Sequence, residues 1–97
     1  MITIYHASQI YRKIEPIAKN RGFIVSIYGS VIKTGESEND LDIICNKYVD
    51  YPDRVGLIND ICNALSGTVL GGMYEGRFAK SYAIHIDCGR LDIQVRD

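Results

Sequence analysis

Asp40 and Asp42, two aspartates separated by one residue, are the side chains of this sequence best suited to chemistry. They open an apolar run at 41–45 that has the composition of a buried strand. Side chains at positions i and i+2 of a strand project to the same side of a sheet, so the two carboxylates are expected side by side. Like charges at that separation repel each other, and cations between them remove the repulsion. The pair therefore predicts a site for divalent metal ions.

Gly29 and Ser30 form a second candidate, and nine residues separate Ser30 from Asp40. The pair follows an apolar run at 24–28 that is typical of a buried strand, and it precedes a short predicted helix at 30–33. Small residues let a backbone approach a ligand closely, and the start of a helix presents free N–H groups and a positive dipole end. These groups would face whatever binds beside Ser30.

Asp92 is a third carboxylate, and it lies on a predicted hairpin at 81–96 whose strands alternate apolar and polar residues. Cys88 and Gly89 are expected to form its two-residue turn, a register in which His85 faces Asp92. The polar face of this hairpin is expected to line an open cleft. The earlier aspartates share that cleft if their strand lies next to the hairpin.

Gly29-Ser30, the Asp-x-Asp at 40–42 and the later Asp92 together resemble the signature of the DNA polymerase β-like nucleotidyltransferase superfamily. The resemblance covers residues from about 23 to the C-terminus. Within this superfamily, the sequence most resembles the minimal nucleotidyltransferases. These small stand-alone domains serve as antitoxin partners of helical toxins and can AMPylate them.

The resemblance implies that Asp40, Asp42 and Asp92 are catalytic carboxylates that hold two magnesium ions. Asp40 and Asp42 would bridge both ions, and Asp92 would complete the ion on the side of the nucleophile and help to accept its proton. The implied reaction is transfer of a nucleoside monophosphate to a hydroxyl on a protein or RNA acceptor, and the expected case is AMP from ATP.

The resemblance also implies the nucleotide-binding residues. Gly29 and Ser30 would hold the β- and γ-phosphates of ATP or another nucleoside triphosphate, and Lys33 would add a positive charge beside them. The sequence departs from the family here, because Ile32-Lys33 replaces Ala-Arg and Asn39 replaces a serine. Lysine is a poorer bidentate phosphate ligand than arginine.

Two alternatives remain at this stage. A catalytically degenerate relative would bind and block or scaffold a partner protein, without metal uptake. An enzyme acting on RNA ends would need a basic groove, for which Arg77, Lys80 and Arg96 are the candidates. Asp87 is a second choice for the third carboxylate, although its place at the turn favours an ion pair with Arg90.

The elements that must position these residues indicate an α/β (α+β) fold, with a mixed sheet and helices packed on one face in two layers, as in nucleotidyltransferases. Apolar periodicity predicts a helix from Ala7 to the basic stretch before Gly22, capped near Ser8 and kinked at Pro16, and a second helix from Pro52. Strands are expected at 23–28, 40–46, 68–70, 81–87 and 90–96.

Length and composition limit the class of protein. Ninety-seven residues predict a single domain, 1–97, whose small core suits association with itself or with another protein. The 11 basic and 12 acidic side chains argue against bulk non-specific binding of nucleic acid. The odd number of cysteines, at 45, 62 and 88, favours reduced thiols. The sequence shows no signal peptide and no apolar run of membrane-spanning length. We therefore expect a cytoplasmic protein without a membrane partner.

Overall fold

The computed structural model describes residues 1–38, 40–75 and 80–97, with 71–75 described by their backbone. Asn39 and Arg77, which entered the sequence analysis, lie outside the described residues. The elements in chain order are β1 (Ile2–Thr3), α1 (Ile4–Asn20), β2 (Phe23–Tyr28), α2 (Ser30–Thr34), β3 (Glu36–Ser37), β4 (Asp40–Lys47), α3 (Arg54–Leu65), β5 (Thr68–Glu75), β6 (Lys80–Ile86) and β7 (Gly89–Arg96).

Five of these strands form one mixed sheet in the order β2-β4-β7-β6-β5. The central strand β7 is parallel to its neighbour β4, and every other neighbouring pair in the sheet is antiparallel. The short strands β1 and β3 form a separate antiparallel ribbon in which Ile2 pairs with Ser37. The predicted two-layer α/β architecture with a mixed sheet is confirmed.

One face of the sheet carries the core. Alternate residues of the central strands point into it, and Ile43 on β4 and Ile93 on β7 are almost completely buried, with exposed fractions of 0 % and 1 %. Burial raises the pKa of the neighbouring Cys45 thiol to about 12, so this side chain is neutral and packs as an apolar group. The helices add buried residues at helical spacing, namely Ala7, Ile10, Ile14 and Ala18 from α1 and Leu57, Ile58 and Ile61 from α3.

Helix α1 begins earlier than its periodicity predicted. The expected cap at Ser8 is wrong, because the Thr3 hydroxyl accepts a hydrogen bond from the backbone N–H of His6 at 3.3 Å. In return the Thr3 N–H donates to Nδ1 of His6 at 3.1 Å, which completes a capping box. Thr3 is extended because it belongs to β1, and the helix then runs through Pro16 to Asn20 as one element.

Helix α3 also begins at a different residue from the one predicted. Pro52 lies before the helix, and Asp53 is its N-cap, whose carboxylate accepts a hydrogen bond from the Gly56 N–H at 2.9 Å. In the described part of the chain, no helix has both the length and the apolar character needed to cross a membrane.

Strands β6 and β7 form the predicted hairpin, but their register differs from the predicted one. Its turn consists of Asp87 and Cys88, and Gly89 is the first residue of β7 with a positive φ of 151°. Aspartate suits a turn, and glycine supplies the unusual φ as the chain re-enters the strand. The predicted pairing of His85 with Asp92 is therefore wrong, since His85 pairs with Arg90. The shift is of two residues, so each side chain keeps its predicted face.

Replacement of Ile43 by alanine is expected to lower the free energy of unfolding by about 3 kcal/mol, because it leaves a cavity in the centre of the core. Ile44→Ala is the matched control, since Ile44 is half-buried on the other face of the same strand. Its loss should be less than about 1.5 kcal/mol. Urea unfolding measures both values, and equal losses would contradict this placement of the core.

Candidate metal centre and nucleotide site

Three aspartates converge on the face of the sheet opposite the core. Parallel pairing of β4 with β7 sets Asp42 directly opposite Asp92, and Asp40 lies opposite Arg90. One carboxylate oxygen each from Asp40, Asp42 and Asp92 lies within 4.8 Å of the other two. All three side chains are half-buried. The strand of the earlier aspartates is thus the neighbour of the hairpin, and the three predicted carboxylates come together.

The chemistry of this donor set fits a hard divalent cation. Carboxylate oxygens are the ligands that magnesium and manganese prefer, and three carboxylates with access to water leave coordination positions for a substrate. The cluster opens onto a hollow of about 350 Å³, into which Asp42 and Asp92 both face. Neutral polar side chains complete much of its wall, those of Tyr28, Ser81 and Gln94.

The electrostatics of the cluster favour a cation. Burial raises the pKa of Asp42, and the neighbouring charges of Asp40 and Asp92 raise it further. The pKa of Tyr28, which pairs with Asp42 across β2 and β4, is raised by burial and then by the charges of Asp42 and Asp92. A cation bound between the aspartates would relieve this repulsion.

Arg90 provides a positive charge within the cluster, a contact that the sequence analysis missed. Its Nε lies 2.9 Å from Oδ1 of Asp92, and its Nη2 donates to Oδ2 of the same residue at 3.0 Å. Nη2 also lies 3.7 Å from Oδ2 of Asp40. The predicted ion pair of Arg90 with Asp87 is wrong. The sequence did carry a signal for the contact with Asp92. Arg90 precedes Asp92 by two residues, which puts both side chains on one face of β7.

Ser37 is a second residue that the sequence analysis missed. It is the one buried polar side chain found among the described residues, and its hydroxyl donates to Oδ1 of Asp40 at 2.7 Å. The Asp40 N–H donates back to the Ser37 hydroxyl at 3.4 Å. Serine followed three residues later by an acidic residue is the spacing of a capping box, although a strand follows here. Through Ser37, the ribbon of β1 and β3 holds Asp40 in place.

Gly29 lies against the carboxylate cluster. Its φ of 84° and ψ of −153° belong to a region that is essentially restricted to glycine. A Cβ atom at this position would collide with the carboxylate of Asp42. Glycine is therefore required both by the backbone turn from β2 into α2 and by the close approach of Asp42.

The other two predicted nucleotide-binding residues are the first residue of α2, Ser30, and Lys33. Ser30 is exposed and lines a hollow on the side of β3, together with Glu36, Ser37 and Glu38. Lys33 is exposed in the last turn of the helix. The structure thus brings Gly29 and the three aspartates together, and it sets Ser30 next to two glutamates.

Comparison of the sequence with models of protein families finds no match, and comparison with curated proteins finds no similar sequence. The nucleotidyltransferase resemblance accordingly depends on the motif residues and on their arrangement in the fold.

Gly29→Ala is expected to lower the free energy of unfolding by about 3 kcal/mol, because it combines backbone strain with the collision at Asp42. Gly35→Ala is the matched control, since Gly35 has the same φ of 84° but open space around its Cβ position. Its cost should be about 1 kcal/mol. Urea unfolding of both variants tests the comparison. Equal costs would show that the Asp42 contact does not select glycine at position 29.

Asp42→Asn is expected to stabilise the metal-free protein at neutral pH by about 0.5 kcal/mol, the size of a cross-strand charge effect. Because the folded-state pKa of Asp42 is raised, its contribution to stability is fully present below the unfolded pKa and is lost as pH rises through the folded pKa. The advantage of the variant should therefore vanish below about pH 4.

Thermal unfolding in chelator at a series of pH values measures this effect. Asp50→Asn, at an exposed connector position, is the control for removal of one negative charge. A variant that is less stable than wild type at neutral pH would contradict the repulsion assigned to Asp42.

Proposed function

We propose that this protein is a metal-dependent nucleotidyltransferase that transfers AMP from ATP, or another nucleoside monophosphate, to a hydroxyl. The observation that carries the proposal is the convergence of Asp40, Asp42 and Asp92 on the open face of the sheet. No matching family identifies the acceptor, which we predict to be either a toxin-like protein or an RNA. Cytoplasmic location and a complex with that partner also remain predictions.

The three aspartates would hold two Mg²⁺ ions. Bound there, the ions would neutralise the reacting phosphate, activate the attacking hydroxyl and stabilise the leaving oxygen. Asp40 is suited to a fixed ligand role, because the Ser37 hydroxyl already orients it. Asp92 faces the hollow beside the cluster and would accept the proton of an acceptor hydroxyl placed there.

The nucleotide side of the proposed site rests on Gly29, Ser30 and Lys33. Gly29 lets the carboxylate of Asp42 approach the backbone at the start of α2, and this closeness supports a phosphate position next to the metal ligands. The first N–H groups of an α-helix have no partners within the helix, so those at the start of α2 would be the candidate donors to phosphate oxygens. Lys33 would contribute charge from the same helix.

The neutral polar wall of the hollow supports a hydroxyl acceptor. The side chains of Tyr28, Ser81 and Gln94 offer hydrogen bonds without a positive charge, which suits a serine, threonine, tyrosine or ribose hydroxyl better than a phosphate. The basic groove expected for an RNA acceptor has weaker support. Arg96 is exposed on β7, whereas Arg77 lies outside the described residues.

A second candidate function is binding of a partner protein without catalysis. Two observations favour it: Arg90 already neutralises part of the carboxylate cluster, and Glu36 and Glu38 surround the hollow at Ser30. Both reduce the attraction for a metal–triphosphate complex. This candidate predicts no metal uptake, and partner binding that survives Asp42→Asn.

Incubation of the protein with ATP labelled at the α-phosphate, Mg²⁺ and host lysate tests the proposed activity. The wild type is expected to label a protein or RNA, and chelation of the metal should abolish labelling. Asp42→Asn and Asp92→Asn should each lose more than about 100-fold, beyond the loss typical of residues that only orient a metal ligand. Asp50→Asn should retain full activity.

Calorimetry with ATP and Mg²⁺ separates the two candidates when no labelled product forms. Absence of ATP binding by the wild type would contradict the nucleotidyltransferase proposal, as would labelling that is undiminished in Asp42→Asn.

A further inference from the structure

Arg90 contacts two of the three carboxylates that would hold a cation. Its guanidinium forms two short contacts with the carboxylate of Asp92, at 2.9 and 3.0 Å, and it reaches Asp40 at 3.7 Å. Both aspartates belong to the cluster whose oxygens lie within 4.8 Å of one another. A divalent ion ligated by the same oxygens would meet the charge of Arg90 at close range, and the two cations would repel each other.

The side chain of Arg90 is only partly enclosed by the protein. It is 48 % exposed, and it extends from the outer end of β7, where Gly89 begins the strand. By contrast, Arg54 is only 19 % exposed and is held by Asp97. Displacement of Arg90 would expose two carboxylates without disturbing the core, because its contacts lie on the open face of the sheet.

We propose that Arg90 is a positioning residue that acts as an internal counter-cation. It holds Asp92 and Asp40 together in the metal-free protein, and the incoming metal must displace it, so that Arg90 sets the metal concentration at which the site fills. This inference rests on the proposed metal-dependent function and adds to it a residue that limits metal binding.

The charge balance gives the direction of the effect. Three carboxylates carry three negative charges when ionised, and Arg90 offsets one of them. Removal of the guanidinium increases the repulsion among the aspartates, which lowers the stability of the metal-free protein. It also raises the affinity of the three carboxylates for a metal ion. A residue with a merely structural role would behave differently, because its loss would weaken both folding and metal binding.

Titration of the full chain with Mn²⁺, followed by calorimetry, tests the proposal on wild type, Arg90→Gln and Arg96→Gln. Arg96 is the matched control, since it lies on the same strand and its side chain contacts Gln94 at 3.4 Å. Arg90→Gln is expected to bind Mn²⁺ about two- to fivefold more tightly than wild type, the range for loss of a partly exposed ion pair. Arg96→Gln should bind as wild type does.

Thermal unfolding provides the second readout. Arg90→Gln should unfold at a lower temperature than wild type in chelator, and Mn²⁺ should restore more stability to it than to wild type. If Arg90→Gln does not fold, Arg90→Lys replaces it, with a smaller gain in Mn²⁺ affinity, because lysine keeps the charge but loses the two-point contact.

The outcomes separate this inference from the proposed function. Equal or weaker Mn²⁺ binding by Arg90→Gln, with binding by wild type, would overturn the role of Arg90 and leave the metal site intact. Binding by the variant alone would support the inference strongly. Absence of Mn²⁺ binding by both proteins would overturn the metal site, and the role of Arg90 with it.

Discussion

Parallel pairing of β4 with β7 determines where every acidic side chain of the candidate site lies. This register sets Asp42 opposite Asp92, and it turns Leu41 and Leu91 of the same strands into the core. A shift of one residue would bury the carboxylates and expose the leucines. Burial of the apolar face therefore fixes the register that brings the aspartates together on the other face. The crossover through α3, β5 and β6 brings β7 to this position, and the stability of the core thereby maintains a cluster of like charges.

That cluster is stabilised from two sides in the metal-free protein. Arg90 pairs with Asp92 and approaches Asp40, and the buried hydroxyl of Ser37 donates to Asp40. Asp42 receives the least support, and its pKa is raised by burial and by the other two aspartates. The open face thus combines closely spaced carboxylate oxygens with an unfavourable charge density, a combination typical of sites that bind divalent cations.

Local pattern was sufficient for much of the fold and for the aspartates themselves. The alternation around Asp40 and Asp42 predicted their common face, and the polar face of the hairpin was correct for Asp92 although the register was shifted by two residues. Alternation repeats every two residues, so it specifies a face but leaves such a shift undetermined. The ribbon of β1 and β3 was missed because two-residue strands carry no periodic signal. The contacts of Arg90 and Ser37 were missed although their partners lie only two and three residues away along the chain. Such spacing places side chains near each other but does not show which contacts form.

Manganese-induced broadening of amide NMR signals tests most directly whether the three aspartates form one cation site. Mn²⁺ added to the isotope-labelled protein is predicted to broaden the amide signals of Asp42, Asp92 and Gly29 first, at concentrations that leave those of Asp50 and Asp87 sharp. Broadening that is equal at all exposed carboxylates, or that spares Asp42 and Asp92, would contradict the account.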